Sequence, residues 1–442
     1  MIVHPLPYRS NTPRIPLGVM KTSGELHGDL GGIVFADSAQ PLIRLARARG
    51  GTATIIRGRG ATRWLKFTIE GTVYYPGIPN PSLSEIHALE NFAADRGVEM
   101  SSFPRVAFNL FRSTLPGFSH IAMGDTMPRG MFPPGARLHA RPGVYTDAVS
   151  VDLRAAYLWA IGTLRIPVMY SRGKARLSEI VECPGGFALA SVRLRKEVPY
   201  GPVPCFSDNG TTAYPTRRER YTPPALLSSE DLKLASMMGD VRIESAWTGK
   251  RFTSPFTSFY HLAKELRSEC GDSGKQVANT LWGIFSAGAS VSLVEFRKGE
   301  NRARIRKMPA RDPLCFPVAA TVLSRIRAKV YYEAIGENTV HVHTDGVIAT
   351  GSVSHLPLGE DPGSWRIVGR YPEIEVLSPG WYRYVNAEGV EKIKAAGRMP
   401  ANDEMTRRVF NHRRGEWLQQ SRGAVVGGMV LPSLRRVDTD TV

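Results

Sequence analysis

Two acidic residues that are far apart in the chain each lie at the end of a short strand pattern. Asp152 closes an apolar run at 148–153 that leads into a helical pattern. Asp345 lies at the tip of a predicted hairpin, between the strand patterns 339–343 and 347–349. Two divalent ions about 4 Å apart need oxygen ligands from at least two separated carboxylates. A fold that brings these strand patterns together would therefore create a metal site suited to phosphoryl transfer.

The composition of the 442-residue chain is that of a globular protein, and its length is typical of two or three domains. Its charge is less ordinary, because 57 Lys and Arg against 40 Asp and Glu leave a net charge of +17. This excess favours a large polyanionic partner, and nucleic acid is the first candidate.

The chain shows no sign of membrane insertion or secretion. No apolar stretch reaches the roughly 18 residues that span a bilayer, and residues 1–14 lack the apolar core of a secretory signal. The cysteines form no C-x-x-C pair, which signals neither a disulfide framework nor a zinc site. They are Cys183, Cys205, Cys270 and Cys315. We therefore expect a cytoplasmic protein.

A third segment combines a cation, an amide and an aromatic ring on one predicted helical face. Lys275, Asn279 and Trp282 are spaced at i, i+4 and i+7 within a helical pattern at 275–285. The cation suits a triphosphate and the aromatic ring suits a base pair. The turn-prone residues 271–274 are predicted to join this helix to another at 257–267.

In this order, the three segments resemble the signature motifs of family B DNA polymerases. The sequence DLRAAYLW at 152–159 resembles the first motif, KQVANTLWG at 275–283 resembles the second, and HTDG at 343–346 resembles the third. YRY at 382–384 and KIKAAG at 392–397 resemble the primer-gripping region of the protein-primed phage and linear-plasmid branch. This branch implies a virus or mobile element as the source.

The resemblance implies roles for individual residues. The metal ligands would be Asp152, Leu153 and Asp345, which would hold two Mg²⁺ or Mn²⁺ ions. Tyr157 would act as a steric gate against a ribose 2′-hydroxyl. The nucleotide would further be bound by Lys275, Asn279 and Trp282. The primer terminus would be held by Tyr384 and Lys394.

A basic β-hairpin is predicted from the alternating residues 290–296 and 302–307. We expect it to project as a ribbon that contacts duplex DNA or separates strands, because its clustered cations would otherwise repel one another. The DNA-contacting residues expected on it are Arg302, Arg304 and Arg306.

The expected fold class is α/β (α+β): a polymerase palm with an antiparallel sheet, short helical fingers, a small thumb and an amino-terminal RNase H-like exonuclease remnant. The predicted divisions are 1–117 for the degenerate exonuclease-like domain, 118–254 for the first part of the palm, 255–289 for the fingers, 290–312 for the basic hairpin insertion, 313–399 for the second part of the palm and 400–442 for a small thumb or basic tail. Residues 407–436 are predicted to form a small helical appendage.

The amino-terminal region has the strand, helix, strand order of a proofreading exonuclease but lacks its acids. No D-x-E occurs near its start and no Tyr-x-x-x-Asp near its end, so a two-metal nuclease site cannot form. We expect it to bind a single strand without cutting it. The arginines proposed for this contact are Arg44, Arg47, Arg49, Arg57, Arg59 and Arg63.

Two other functions remain open from the sequence. His343 replaces the first acid of the third motif, which removes a negative charge from the metal site and supports a catalytically silent nucleic-acid-binding replication subunit. The string His341, His343 and Asp345 has the H-x-H-x-D pattern of zinc metallo-hydrolases, although Gly346 stands where that pattern continues with His. For the polymerase, the expected partners are a DNA primer-template, deoxynucleoside triphosphates and a terminal priming protein, with the chain itself a monomer.

Overall fold

The computed structural model describes residues 16–21, 24–28, 32–58, 61–78, 82–115, 127–133, 138–206, 212–217, 220–286, 291–298, 300, 303–308, 316–386, 388–395, 417–426 and 429–436. The chain forms two compact units. The first contains described residues of 1–118 and 258–314, with 422–433, and the second contains those of 119–257 and 315–421, with 434–442. Across these described ranges, every helix falls short of the length and apolar character that a membrane span requires.

The amino-terminal part of the first unit alternates strands and helices. Its elements are β1 (Leu17–Met20), β2 (Leu26–Gly28), β3 (Ile33–Ala36), α1 (Gln40–Arg49), β4 (Gly51–Gly58), β5 (Ala61–Ile69), β6 (Thr72–Pro76), α2 (Leu83–Ala94) and α3 (Phe103–Thr114). The strand, helix, strand order predicted from residue 33 onward is confirmed. Proline near the start of α1 and Gly50 after its end, with a φ of 82°, set the limits of that helix.

The second part of the chain belongs to the other unit. Its elements are β7 (Leu138–Ala140), β8 (Gly143–Leu153), α4 (Ala156–Gly162), β9 (Ile166–Pro167), β10 (Ser171–Gly173), α5 (Leu177–Val181), β11 (Phe187–Leu194), β12 (Cys205–Phe206), β13 (Thr212–Ala213), β14 (Ala225–Ser228), α6 (Ser229–Met238), β15 (Gly239–Thr248) and β16 (Phe252–Thr253).

The chain then returns to the first unit with α7 (Thr257–Glu269), α8 (Gly271–Ser286), β17 (Val291–Phe296) and β18 (Arg304–Lys307). The turn predicted at 271–274 is wrong, because these residues form the first turn of α8. The break between the helices lies at Cys270 and Gly271, where the positive φ of 53° at Gly271 ends the α7 direction.

The first unit is built on one mixed sheet with the strand order β18-β17-β4-β5-β6-β3-β1-β2. Strands β1, β3 and β6 are parallel, and the other pairs are antiparallel. One face of the sheet packs against α1, where Leu42 and Ala46 are buried with Ile55 and Phe67. The predicted basic hairpin is confirmed by the pairing of β17 with β18. The prediction that it projects as a ribbon is wrong, because β17 pairs along its whole length with β4. Its apolar Val294 joins this core, which explains the attachment.

The last part of the chain contains α9 (Phe316–Ala334), β19 (Thr339–His343), β20 (Gly346–Thr350), β21 (Trp365–Ser378), β22 (Trp381–Val385), β23 (Glu391–Ala395), β24 (Trp417–Val426) and β25 (Met429–Arg436). The sequence predicts a long helix at 317–335, with Pro at its start and Gly336 after its end. This helix and the hairpin with Asp345 at its tip are confirmed. The prediction of a helical appendage at 407–436 is wrong for the residues that the structure describes, because β24 and β25 form a two-stranded sheet. Gly427 and Gly428 separate two Val-containing runs there, a pattern that favours a hairpin over a helix.

The second unit contains a seven-stranded sheet with the order β23-β22-β21-β8-β20-β19-β7 and a four-stranded sheet with the order β10-β15-β11-β14. A charged network links α6 to α9 inside this unit. Arg327 and Asp231 are both almost fully buried, and the Arg327 guanidinium donates to Asp231 Oδ2 at 2.8 Å. Ser324 donates to the same oxygen at 2.6 Å. Because the buried guanidinium has its counter-charge in Asp231, the network holds α9 against α6.

Removing one member of this network should destabilise the protein strongly. We expect Arg327→Met to lower the free energy of unfolding by about 3–5 kcal/mol, because it leaves Asp231 buried without its counter-charge. Chemical denaturation would measure this change. Arg193→Met, which breaks an exposed pair with Asp240, should leave the stability almost unchanged. The double variant Arg327→Met with Asp231→Leu should recover most of the loss, and failure to recover would contradict this account.

Candidate metal and nucleotide site

Asp152 lies on β8 between two neighbouring strands of the seven-stranded sheet. Its cross-strand partners are Gly346 on β20 and Arg366 on β21. The register therefore places the hairpin tip that carries Asp345 directly beside Asp152. The backbone N–H of Leu153 donates to the carbonyl of Asp345 at 3.0 Å, which ties the two acidic segments together. The convergence expected from the two strand patterns is thus present.

A residue close to each of the two aspartates has a positive φ. Thr344 occupies the two-residue turn between β19 and β20 with a φ of 62°, which is rare for a β-branched residue. Ala155, which precedes α4, has φ 48° and ψ 45°. Such conformations persist only where the surrounding structure enforces them, and they are concentrated at functional sites.

The electrostatics of the site are dominated by two carboxylates in a partly buried position. Burial, and then repulsion by Asp152, raise the pKa of Asp345 to about 7, although Arg366 acts in the opposite direction. Burial, and then Asp345, raise the pKa of Tyr157 to about 12. Tyr157 is therefore close enough to Asp345 to interact with its charge, as the role of a gate beside the metal site requires.

Arg366 is a member of the site that sequence reasoning missed. Its Nε and NH2 atoms lie 3.3 and 2.7 Å from Asp152 Oδ2. The other oxygen, Oδ1, faces β20, where a Cβ added at Gly346 would lie 3.7 Å from it. Arg366 thus engages one carboxylate oxygen and leaves the other available. No local pattern marks this arginine, because the contact depends on the pairing of β21 with β8.

The site fits divalent cations. The charge of Asp152 contributes to the raised pKa of Asp345, and hard carboxylate oxygens are the ligands that Mg²⁺ prefers. The Leu153 side chain has no atom that can bind a metal ion, so only its backbone carbonyl can contribute. Within the described parts of the chain, no group of three or more His, Cys, Asp and Glu residues is placed to hold a metal ion.

Of the two histidines of β19, His341 is buried and His343 is partly buried. Burial, together with His343 and His139, lowers the pKa of His341 to about 3. Its Nε2 atom accepts a hydrogen bond from the Gly380 N–H at 2.8 Å. Burial also lowers the pKa of His343, whose ring stacks on that of His341 at 6.4 Å. His343 therefore supplies no charge to the carboxylates, and the described residues offer no support for the metallo-hydrolase alternative.

Helix α4, which carries Tyr157, is held in place by contacts to Trp159 and Ala160. Arg325 and Lys329 of α9 each lie 5.1 Å from the ring of Trp159. Arg325 also donates to the Ala160 carbonyl at 2.9 Å, near the end of α4. Gly363 approaches the same ring so closely that a Cβ there would lie 2.3 Å from it. These contacts determine the orientation of α4 and hence of Tyr157.

The residues expected to grip a primer lie on the same sheet as the acids. Tyr384 is on β22 and Lys394 is on β23, where it pairs with Tyr382. Tyr384 packs against Tyr371 with ring centroids 4.2 Å apart, whereas Lys394 is exposed. Their position on neighbouring strands is compatible with a shared role, which stays a prediction.

The remaining candidates belong to the first unit. Lys275 is half-exposed on α8, with its Nζ atom 3.9 Å from Asp272. Trp282 and Asn279 are partly buried on the same helix, and the buried Asn279 Oδ1 accepts no hydrogen bond from the described residues. The exposed residues of β18 include Arg304 and Arg306, whereas Arg302 lies outside the described residues. Three of the amino-terminal arginines are exposed on α1: Arg44, Arg47 and Arg49. Arg57 lies on β4 and Arg63 lies on β5. Arg59 lies outside the described residues.

No protein-family model and no curated protein sequence matches the chain. Its fold, however, is that of a DNA polymerase. The solved structures that it resembles are of phi29 DNA polymerase: the complex with primer-template DNA has a TM-score of 0.67 at 13% identity, covering 93% of this chain and 94% of that one. The ternary complex with primer-template DNA and incoming nucleotides has a TM-score of 0.67 at 12% identity, covering 97% and 100%.

The phi29 DNA polymerase complex with single-stranded DNA is similar as well, with a TM-score of 0.65 at 12% identity, covering 96% of this chain and 100% of that one. These structures confirm the expected α/β polymerase fold class. They also confirm, for the fold, the resemblance to protein-primed family B polymerases that the motifs indicated. The likeness extends over nearly the whole chain and therefore does not depend on the palm alone.

The raised pKa of Asp345 predicts how stability depends on pH without added metal. The folded protein holds this proton to a higher pH than the unfolded chain does, because the ordinary pKa is 3.8 and the folded value is about 7. The free energy of unfolding should therefore fall as the pH rises between these values. Asp345→Asn should remove this fall and stabilise the metal-free protein at pH 8 by on the order of 2 kcal/mol.

Chemical denaturation in the presence of a chelator, from pH 4 to pH 8, would measure both effects. Asp147→Asn changes an exposed carboxylate near the other end of β8 and should leave the profile unchanged. Added Mg²⁺ should stabilise the wild type more than Asp345→Asn. A pH profile that is the same for the wild type and Asp345→Asn would contradict the raised pKa of Asp345.

Proposed function

We propose that the chain is a template-directed DNA polymerase that adds deoxynucleotides to a primer 3′-hydroxyl by two-metal phosphoryl transfer. The observation that carries the proposal is the register that places Asp345 beside Asp152. The phi29-type fold and the net charge of +17 support it. In this reaction the primer oxygen attacks the α-phosphorus in line, and pyrophosphate leaves from the opposite side.

Each residue of the site has a distinct task in this proposal. Asp345, Asp152 and the backbone carbonyl of Leu153 would hold the divalent cations. When bound, the cations neutralise phosphate charge and favour loss of the primer hydroxyl proton. Tyr157 limits the space at the sugar, so that a ribose 2′-hydroxyl is rejected. Arg366 restrains Asp152 through Oδ2 and keeps its orientation fixed.

Other residues are assigned by their motifs and location. We assign Lys275, Asn279 and Trp282 to the incoming nucleotide. We assign Tyr384 and Lys394 to the primer and Arg304 and Arg306, with Arg302, to DNA. The partners that follow are a primer-template, deoxynucleoside triphosphates and a terminal priming protein, for a monomer that acts in the cytoplasm. We expect no 3′-to-5′ excision, because the amino-terminal region lacks the acids of a nuclease.

A catalytically silent nucleic-acid-binding subunit is the second candidate. Two observations favour it: a neutral His343 stands in place of an acid, and Arg366 already neutralises part of the charge on Asp152. Both features lower the affinity of the site for cations. Tight DNA binding without nucleotide incorporation would establish this alternative.

Primer extension is the direct test of the polymerase. With Mg²⁺ or Mn²⁺ and all four deoxynucleotides, we expect the wild type to extend a labelled primer on a DNA template. Asp152→Asn and Asp345→Asn should reduce the rate by at least about a thousandfold, because each removes a metal ligand. Asp147→Asn is the control and should remain active. Extension that survives in either ligand variant would refute the assignment.

Sugar discrimination tests the role of Tyr157. We expect Tyr157→Ala to increase ribonucleotide incorporation relative to deoxynucleotide incorporation by about 10-fold to 200-fold, because it opens space at the 2′ position. Tyr157→Phe keeps the ring and should retain the discrimination. Single-nucleotide kinetics with each sugar would measure the ratio of kcat/KM. An unchanged ratio in Tyr157→Ala would remove the gate role.

A further inference from the structure

Helix α8, which carries Lys275, begins with backbone N–H groups that have no hydrogen-bond acceptor within the helix. The first N–H groups of any α-helix lack partners within the helix. In α8 the N–H of Ser273 donates to Glu85 Oε2 at 2.9 Å, and Glu85 lies on α2 of the amino-terminal region. Because Ser273 is buried, water does not replace this bond easily. A carboxylate from a distant segment therefore caps the nucleotide-binding helix.

The local geometry is arranged for this carboxylate. A Cβ added at Gly271 would lie 2.6 Å from Glu85 Oε1, and the φ of 53° at Gly271 also favours glycine. Glycine at this position thus allows the carboxylate to approach the helix end. A negative charge at a helix N-terminus is favoured by the helix dipole as well as by the hydrogen bond.

Further contacts join α7 and α8 to the amino-terminal region within the first unit. The ring of Phe285 packs edge-on against Phe111 at 5.8 Å and against Phe108 at 6.4 Å. Phe111 also packs against Phe259 of α7 at 5.9 Å. Strand β17, which follows α8, pairs with β4 from one end to the other. The proposed fingers therefore share a core with the amino-terminal region.

We propose that Glu85 is a positioning residue for nucleotide binding, and that the amino-terminal region serves as the support of the nucleotide-binding helix. This inference rests on the proposed polymerase function. Lys275 follows the capped first turn of α8, so the orientation of its side chain depends on that turn. Loss of the cap lets the turn fray and weakens the grip on the triphosphate. The reacting carboxylates lie on other elements, so the chemical step at saturating nucleotide is preserved.

Steady-state primer extension with Glu85→Ala and Glu85→Gln tests the proposal. We expect Glu85→Ala to raise the KM for deoxynucleotides about threefold to tenfold, with kcat changed less than about twofold. Glu85→Gln keeps an acceptor oxygen but loses the charge, so its KM should lie between those of Glu85→Ala and the wild type. The dissociation constant for primer-template, measured by fluorescence anisotropy, should not change.

Glu265→Ala is the matched control. Glu265 is an exposed carboxylate on α7 that pairs with Arg96 at 3.3 Å. Among the described residues, no hydrogen bond or ion pair joins it to the start of α8. Glu265→Ala should leave the KM for deoxynucleotides unchanged. Hydrogen exchange should accelerate at the amides of 273–275 in Glu85→Ala but not in Glu265→Ala. This readout detects the cap independently of activity.

The outcomes separate this inference from the proposed function. An active wild type with the same KM in Glu85→Ala would overturn the inference alone. A fall in kcat and thermal stability without a change in KM would also overturn it, because Glu85 would then only stabilise the fold. Failure of the wild type to extend any primer would overturn the proposed function and this inference with it.

Discussion

The pairing of β8 with β20 and β21 is the constraint on which the candidate site depends. It places Asp152 between a glycine and an arginine and brings the hairpin tip with Asp345 alongside. Two carboxylates so close together repel each other, and the sheet must hold them against that repulsion. The Leu153 to Asp345 hydrogen bond and the restrained turn at Thr344 contribute to this. A divalent cation would relieve the repulsion between the two carboxylates.

Helices α9 and α4 contribute to the position of the site residues. Helix α9 is held by the buried pair of Arg327 and Asp231, and it positions α4 through its cationic contacts to Trp159. A buried ion pair adds little net stability over apolar packing, but a misplaced helix would leave its charges unpaired, which is costly. The network therefore favours one position of α9, and through it one position of Tyr157.

The amino-terminal region and the helices α7 and α8 belong to one packed unit. Its sheet extends into β17 and β18, and its helices α2 and α3 pack against α8. Main-chain pairing and aromatic packing join this region to the segment that carries Lys275. A supporting role for this region explains why such contacts are present around α8.

The sequence by itself determined the long helix α9, the hairpin around Asp345 and the strand that ends near Asp152, because periodicity and turn residues act over a few neighbours. It also indicated the fold class through three ordered motifs. It failed at 271–274, where a cap from Glu85 keeps a glycine-rich segment helical, and at 417–436, where strands form in place of a helix. Only the tertiary structure decided the contacts of Arg366 with Asp152 and of Glu85 with α8. Pairing between distant strands and helices creates these contacts, and no local pattern encodes which distant segment becomes the neighbour.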